Sequence, residues 1–144
     1  MSQHASAAGP MAVIDRLHRA LNAHDLDVFV GCFAPDYQST FPAHPDRAFS
    51  GYEQVRANWS QMFSAVTDLK AELLRAIVDG ETVWTEWDWS GTLPEGAPYH
   101  MRGVTVMGIR DDRVAWARLY MEPVETGGAG IDAAVRQLTG RERA

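Results

Sequence analysis

An α+β fold, with its helices first and an antiparallel sheet after them, is predicted by three features of the sequence. Apolar residues recur at helical spacing near the start, period-two segments fill residues 70–124, and turn motifs separate those segments. The chain has 144 residues, 46% of them hydrophobic, which fits one domain with its own core. We expect that domain over residues 11–125, after a disordered tail over residues 1–10 and before a Gly-rich tail over residues 126–144.

Three helices are expected before the sheet. The first covers residues 11–23, where apolar side chains recur at helical spacing with charged residues between them. Asp25 is a suitable N-cap for a second helix over residues 26–33. His24 occupies the helix-ending position before it, which favours a structural role for this side chain. A third helix is predicted over residues 52–64.

The strands are expected to form an antiparallel meander. A short strand over residues 37–41 leads into a Pro-rich loop. "DG", "PEG" and "DD" are turn motifs that separate the later strands. A short helix over residues 131–138 is expected at the end of the chain. The four period-two segments lie at residues 70–79, 82–92, 99–110 and 113–124.

Charge and hydropathy exclude several partners. The formal net charge is −6 and the Lys and Arg residues are scattered, which disfavours a nucleic-acid surface. No apolar run approaches the ~20 residues that a membrane span requires, and the first residues lack a signal-peptide pattern. We therefore expect a cytoplasmic protein with no membrane partner. The single cysteine, Cys32, lies among apolar residues and is expected to pack as a small hydrophobe.

No metal and no cofactor is expected. The five histidines fall on separate predicted elements, without the spacing of a metal site. The "GGAG" motif at residues 127–130 follows no strand-to-helix unit, so it does not predict a phosphate-binding loop.

Several motifs, in their order, resemble one known superfamily. "ALNAHDLDVFVGCFAPDY", "FSGYEQVRANW", "WSGT" and "MRGVTVMGIRDDRVAWARLYMEP" are similar to the SnoaL-like group of the nuclear transport factor 2-like superfamily, which shares the fold of ketosteroid isomerases and polyketide cyclases. The resemblance covers roughly residues 11–125. It implies a cone-shaped α+β barrel, in which three N-terminal helices pack in a curved, mostly antiparallel sheet. It also implies a deep pocket and, usually, a homodimer.

The acid and base residues of relatives with known chemistry do not carry over to this chain. Ketosteroid isomerases use a tyrosine and two aspartates in the pocket. The corresponding positions here are Leu17, Phe41 and Thr105. Limonene epoxide hydrolases use an Arg-x-Asp pair and a second aspartate. Those positions fall here on Trp87, Trp89 and Leu119. Neither activity is therefore implied by the resemblance.

The resemblance implies which face of the strands points into the pocket, and with the alternation of side chains along a strand that face is almost entirely apolar. Trp59, Phe63, Trp87 and Trp89 supply large rings, which either surround a ligand or simply fill the core. The expected pocket residues are Leu17, Tyr37, Phe41, Trp59, Phe63, Thr85, Trp87, Trp89, Met101, Thr105, Met107, Leu119 and Met121.

The opposite face of the sheet carries charged and apolar residues together, which favours a dimer interface. We expect Asp88 to pair with Arg102, Arg102 with Glu122, and Arg118 to stack on Trp84. A two-residue turn at residues 111–112 would swap the faces of the last strand. The expected dimer face consists of Trp84, Glu86, Asp88, Arg102, Trp116, Arg118 and Tyr120.

The loop "PAHPDRAF" contains the strongest candidate for proton transfer. Histidine is a residue type that can serve as an acid or a base in catalysis, and His44 follows the strand that ends where relatives keep their base. Tyr37 is its expected hydroxyl partner. A solvated turn is the alternative interpretation, because Pro, Asp and Arg are common in turns.

Three functions are consistent with these patterns. The first is a homodimeric domain that encloses a small, largely hydrophobic ligand, with isomerisation, cyclisation, hydration or hydrolysis of a polyketide-like or terpenoid-like compound as its chemistry. The second is a non-catalytic ligand-binding or carrier domain. The third is a protein-interaction module that uses the outer sheet face.

Overall fold

The computed structural model describes residues 9–140. Most of the expected N-terminal tail, residues 1–8, lies outside the described residues, and Pro10 already belongs to the first helix. Within residues 9–140, no helix is long and apolar enough to cross a membrane.

Three helices precede or interrupt the start of the sheet, as predicted. They are α1 (Pro10–Ala23), α2 (Leu26–Gly31) and α3 (Tyr52–Ala65). α1 ends because His24 adopts a left-handed conformation, with φ 55° and ψ 37°. α2 begins because the Asp25 carboxylate accepts a hydrogen bond from the Val28 amide, at 3.2 Å.

Six strands form one open sheet in the order β2-β1-β6-β5-β4-β3. All neighbouring pairs are antiparallel except β1 and β6, which are parallel. The strands are β1 (Phe33–Thr40), β2 (Phe49–Ser50), β3 (Lys70–Asp79), β4 (Thr82–Thr92), β5 (Pro98–Arg110) and β6 (Arg113–Pro123). The α+β fold is confirmed, and the curved sheet remains unclosed because β2 and β3 do not pair with each other.

The strand register agrees with the prediction, although the turn between β5 and β6 has two residues. Asp111 and Asp112 both have positive φ, at 53° and 61°, as a tight hairpin turn requires. Ile109 pairs with Val114, but Gly108 pairs with Trp116, so Ala115 is an extra residue on β6. This bulge cancels the shift that the short turn introduces. The inward and outward faces of β6 are therefore the predicted ones.

α1 lies against the concave face of the sheet and is tied to the edge strand β3. The His18 and Asn22 side chains both bond to the Ala71 carbonyl oxygen, at 2.8 and 3.0 Å. The His24 ring bonds to the Leu69 carbonyl at 2.8 Å and stacks on Phe63. These contacts satisfy backbone groups at the start of an edge strand, so the roles of His18 and His24 are structural.

One side of α1 is completely buried in the core. Its residues there are Val13, Ile14, Leu17, Ala20 and Leu21. Burying each of the Val, Ile and Leu side chains stabilises the fold by roughly 1.5 to 3 kcal/mol. The last helix, α4 (Ile131–Thr139), differs because its apolar side chains Ile131 and Leu138 are largely exposed.

The outer face of the sheet carries the predicted charge pairs in part. Asp88 pairs across the strands with Arg102, at 2.8 Å between carboxylate and guanidinium, and it also bonds to His100. Arg102 lies opposite Glu122 in the register, but the Glu122 carboxylate bonds to His44 instead.

The predicted stacking of Arg118 on Trp84 is wrong. The Arg118 guanidinium lies over Trp116, 5.4 Å from the ring centroid. Trp116 is two residues away on the same strand, whereas β5 and its Val106 lie between Arg118 and Trp84.

Candidate ligand pocket

A cavity of about 230 Å³ lies between the helices and the concave face of the sheet. Its described lining residues include no Asp, Glu, His, Lys or Arg. Most of its wall is formed by aromatic and aliphatic side chains, so the cavity favours a ligand without formal charge.

Burial divides the cavity wall into an inner and an outer part. Leu17, Phe33, Thr105 and Met107 are among the lining residues that are almost completely buried. Half-buried residues, which define the mouth, include Phe41, Phe49, Asn58, Trp59, Tyr99 and Leu119. The mouth therefore lies between α3, the loop that follows β1, and the neighbouring ends of β4, β5 and β6.

Nine of the thirteen expected pocket residues line this cavity. They are Leu17, Tyr37, Phe41, Trp59, Trp87, Trp89, Thr105, Met107 and Leu119. The other four pack behind the wall. Thr85 and Met121 are buried in the core, Met101 packs against the core, and Phe63 contacts His24, Phe29 and Trp59.

Ten further lining residues are absent from the sequence-based set. They are Leu21, Phe29, Phe33, Ser39, Phe49, Val55, Asn58, Met62, Tyr99 and Ala117. Several were detectable, since Val55, Asn58, Trp59 and Met62 share one face of α3 at helical spacing. Phe49 and Tyr99 carried no such signal, because only the packing of loops and strand ends brings them to the mouth.

Two threonines and a tryptophan form a hydrogen-bonded group at the inner wall. The Trp87 indole N–H donates to the Thr85 hydroxyl at 2.8 Å, and the two threonine hydroxyls lie 2.6 Å apart. The Thr85 hydroxyl can donate either to the Thr105 carbonyl, at 2.9 Å, or to the Thr105 hydroxyl. In the second arrangement, the Thr105 proton is free to point into the cavity. Thr105 can therefore donate to a ligand oxygen or accept from one.

Tyr37, on β1, contributes a further buried hydroxyl to the cavity wall. Burial raises its pKa to about 12, and the neighbouring Ser39 hydroxyl opposes this shift only in part. The phenol therefore stays protonated near neutral pH, where it can donate a hydrogen bond but does not act as a base.

The structure does not bring His44 into the cavity. Its imidazole Nε2 lies 3.0 Å from a carboxylate oxygen of Glu122 on the exposed side of the loop. Pro45–Arg47 form a single 3-10 turn after it. The expected His44 and Tyr37 pair is thus divided between the outer surface and the buried wall.

Metal-ligating side chains do not gather in the described part of the chain. Within residues 9–140, no group of three or more His, Cys, Asp or Glu residues has the arrangement of a metal site. The two carboxylates of the "EWDW" segment, Glu86 and Asp88, lie on the outer sheet face, where Arg75 and Arg102 accompany them.

Comparison with solved structures shows a shared fold. IdmH from Streptomyces antibioticus, a proposed polyketide cyclase, is 22% identical, with a TM-score of 0.68 over 78% of this chain and 91% of that one. A proposed SnoaL-like polyketide cyclase from Jannaschia sp. CCS1 is 22% identical, with a TM-score of 0.67 over 78% and 85% of the two chains. An NTF2-like protein of unknown function from Exiguobacterium sp. 255-15 is 16% identical, with a TM-score of 0.65 over 79% and 99%.

The family follows from the sequence match itself. No protein of curated function matches the chain. The family model described as the SnoaL-like domain matches residues 14–117, which include most of α1, all the strands up to the middle of β6, and most of the cavity wall. This chain therefore belongs to the SnoaL-like domain family.

Proposed function

We propose that this protein binds a small, uncharged, largely hydrophobic molecule in the cavity between its helices and its sheet. The observation that carries the proposal is the wall of the cavity, which combines many aromatic rings with a few hydroxyl groups and no charged side chain among the described residues. Flat apolar ligands gain most from such a wall, because aromatic contacts add to the area removed from water.

The volume of the cavity limits the size of the ligand. Pockets for drug-sized molecules usually enclose roughly 300 to 1,000 Å³. The value of about 230 Å³ lies below that range, which favours a ligand of one or two rings over a larger fused system. The Thr105 hydroxyl is proposed to bond to an oxygen atom at the inner end of this ligand, with Thr85 as its own hydrogen-bond partner.

Binding without chemical conversion is the function that the side chains support best. General acid–base catalysis needs a group that can exchange protons near neutral pH. The imidazole of His44 lies outside the wall, and the Tyr37 phenol stays protonated. We therefore assign no proton transfer to His44.

Cyclisation of a polyketide-like compound is the second candidate. The hydroxyl group of Thr105 and the phenol of Tyr37 both line the cavity, where each can hydrogen-bond to a ketone oxygen and hold a flexible chain in a folded conformation. The proposed cyclases among the structural neighbours make this chemistry worth testing. Incubation with a linear β-polyketone, followed by mass spectrometry of the products, would separate cyclisation from simple binding.

The first prediction concerns ligand charge. 2-Naphthol should raise the melting temperature by roughly 5 °C or more when its concentration is a hundredfold above its dissociation constant. At the same concentration, 2-naphthoate should cause a much smaller shift in melting temperature. It has the same ring system but carries a carboxylate, and the cavity offers no cation to pair with it. Differential scanning calorimetry measures both shifts. Equal shifts for the two compounds, or none for either, would contradict the proposal.

We further propose that the outer sheet face contacts a second copy of the chain. Ile77, Trp84 and Tyr120 are 67%, 51% and 43% exposed, and in the register Ile77 lies directly across from Trp84. Exposed apolar side chains grouped in this way are typical of an interface. The charged residues among them provide complementary pairs for a two-fold arrangement.

Replacing Trp84 with glutamate should shift the equilibrium between dimer and monomer toward the monomer. Two-fold symmetry would place the new charge on both partners and remove the largest apolar group from the interface, so dimer affinity should fall by about tenfold or more. Size-exclusion chromatography with light scattering measures the mass. Val28→Glu, which changes an exposed apolar residue on α2, is the matched control and should leave the mass unchanged. A monomeric wild-type protein would refute the proposed dimer.

A further inference from the structure

The packing of α3 does not explain Asn58, the one amide side chain among the described residues that line the cavity. The other α3 residues in the cavity wall are Val55, Trp59 and Met62, which together form a typical apolar stripe. Asn58 lies within this stripe, three residues after Val55, and is half-buried. An amide at such a position loses part of its hydration without gaining apolar packing, so an acceptor on a bound ligand would restore a hydrogen bond to it.

The oxygen of the Asn58 amide already has a hydrogen-bond partner. The Gln54 side chain, one helical turn earlier, donates its Nε2–H to the Asn58 Oδ1 at 2.8 Å. This hydrogen bond uses one lone pair of the Asn58 oxygen and orients its amide plane. The Nδ2 group, which supplies two N–H donors, has no acceptor among residues 9–140.

We propose that Asn58 is a specificity-determining residue, whose Nδ2 group donates a hydrogen bond to an acceptor oxygen at the outer end of the ligand, with Gln54 as the residue that positions it. The inference rests on the proposed binding function and narrows the ligand class. The ligand is then an apolar ring system with oxygen atoms at both ends, one near the Thr105 hydroxyl and one near Asn58.

The Asn58 amide determines which kind of ligand oxygen is favoured at the mouth of the cavity. A neutral amide N–H suits a carbonyl or ether oxygen, and the cavity wall offers no positive charge that would favour a carboxylate. The rest of the mouth is mainly aromatic, so an apolar group at the same place would leave the Asn58 donor without a partner. Selection between ligands therefore comes from the penalty for an unpaired amide as much as from the bond itself.

The test compares two ligands that differ only in this acceptor. 6-Acetyl-2-naphthol carries a ketone oxygen, and 6-isopropenyl-2-naphthol replaces that oxygen with a CH₂ group of similar shape. The ratio of their dissociation constants, measured by isothermal titration calorimetry, isolates the acceptor. In Asn58→Leu and in Asn58→Asp, the preference for the ketone should fall by roughly three- to tenfold relative to wild type.

Two further variants separate positioning from general effects. Gln54→Leu should reduce the preference for the ketone by a smaller factor, because the Asn58 amide is then free to rotate. Gln61→Leu changes an exposed residue of the same helix outside the cavity wall, so it should preserve the wild-type ratio. The inference is overturned if both ligands bind to wild type and neither Asn58 variant alters the ratio. Failure of both ligands to bind at all would instead overturn the proposed function, and this inference with it.

Discussion

Replacing Gly103 with alanine is expected to lower the free energy of unfolding by roughly 3 kcal/mol, the upper end of the usual cost of overpacking. Gly103 lies in the middle of β5, between Trp87 on β4 and Met121 on β6. A Cβ atom there would approach three backbone atoms of Tyr120 and Met121 more closely than 3.0 Å. Because a Cβ atom is fixed to the backbone, side-chain rotation cannot relieve this overlap, and the strands themselves must separate.

The substitution should affect the cavity as well as stability, because β5 forms part of the cavity wall on both sides of Gly103. Thr105 and Met107 follow it on the same face. Urea denaturation followed by circular dichroism measures the loss. Gly31→Ala is a suitable control, since no atom lies within 4 Å of the added Cβ and α2 ends at this residue. A Gly103→Ala protein as stable as the Gly31→Ala protein would show that the two strands can move apart at little cost.

Replacing Ala117 with phenylalanine is expected to abolish ligand binding while the protein stays folded. Ala117 is buried on β6, pairs with Met107, and lines the cavity together with it. A phenyl ring added to its Cβ would occupy the space of the ligand. Because the cavity of about 230 Å³ already exists, the new ring fills a void instead of displacing packed side chains. Stability should therefore change by no more than about 1 kcal/mol.

Calorimetric titration with 2-naphthol measures this effect, and we expect the affinity to fall by about a hundredfold or more, since almost all contacts with the ligand are lost. Thermal unfolding of the same variant shows whether the fold persists. His44→Gln is the informative control. The His44 side chain lies outside the cavity and contacts Glu122, so this variant should bind like wild type. Undiminished binding to a folded Ala117→Phe protein would place the ligand elsewhere.

The pairing of the central strands was predictable because several local patterns agree. Tight turns, alternating residues and complementary charges all require Asp88 to lie opposite Arg102, and this pairing is confirmed. The sequence also indicated that a two-residue turn at Asp111 and Asp112 would swap the faces of the last strand. It did not reveal the bulge at Ala115, because an extra residue is recognised only when both strands are placed side by side.

The cavity wall was only partly predictable, for a geometric reason. Alternation along β4, β5 and β6 identifies the inward face, so Trp87, Thr105 and Leu119 were found from the sequence. Alternation does not tell which inward residues border an empty space and which are packed tightly. Thr85 and Met121 belong to the second group, since the Thr85 hydroxyl bonds to Thr105 and Trp87, and Met121 packs within the buried core.

The orientation of the His44 side chain could not be predicted from the local sequence. Its residue type and its place after β1 favour proton transfer, but the direction of a loop side chain depends on a partner that is distant in the chain. That partner is Glu122, 78 residues later, which holds the imidazole on the outer surface.

By itself, the sequence determined the α+β class, the order of the elements and the separation of an aromatic inner face from a charged outer face, because these follow from periodicity and turn chemistry between neighbouring residues. Only the tertiary structure decided the extent of the cavity, the position of Asn58 at its mouth and the position of His44 outside its wall. Each of these depends on contacts between α3, the loop after β1 and the ends of distant strands, which no local pattern encodes.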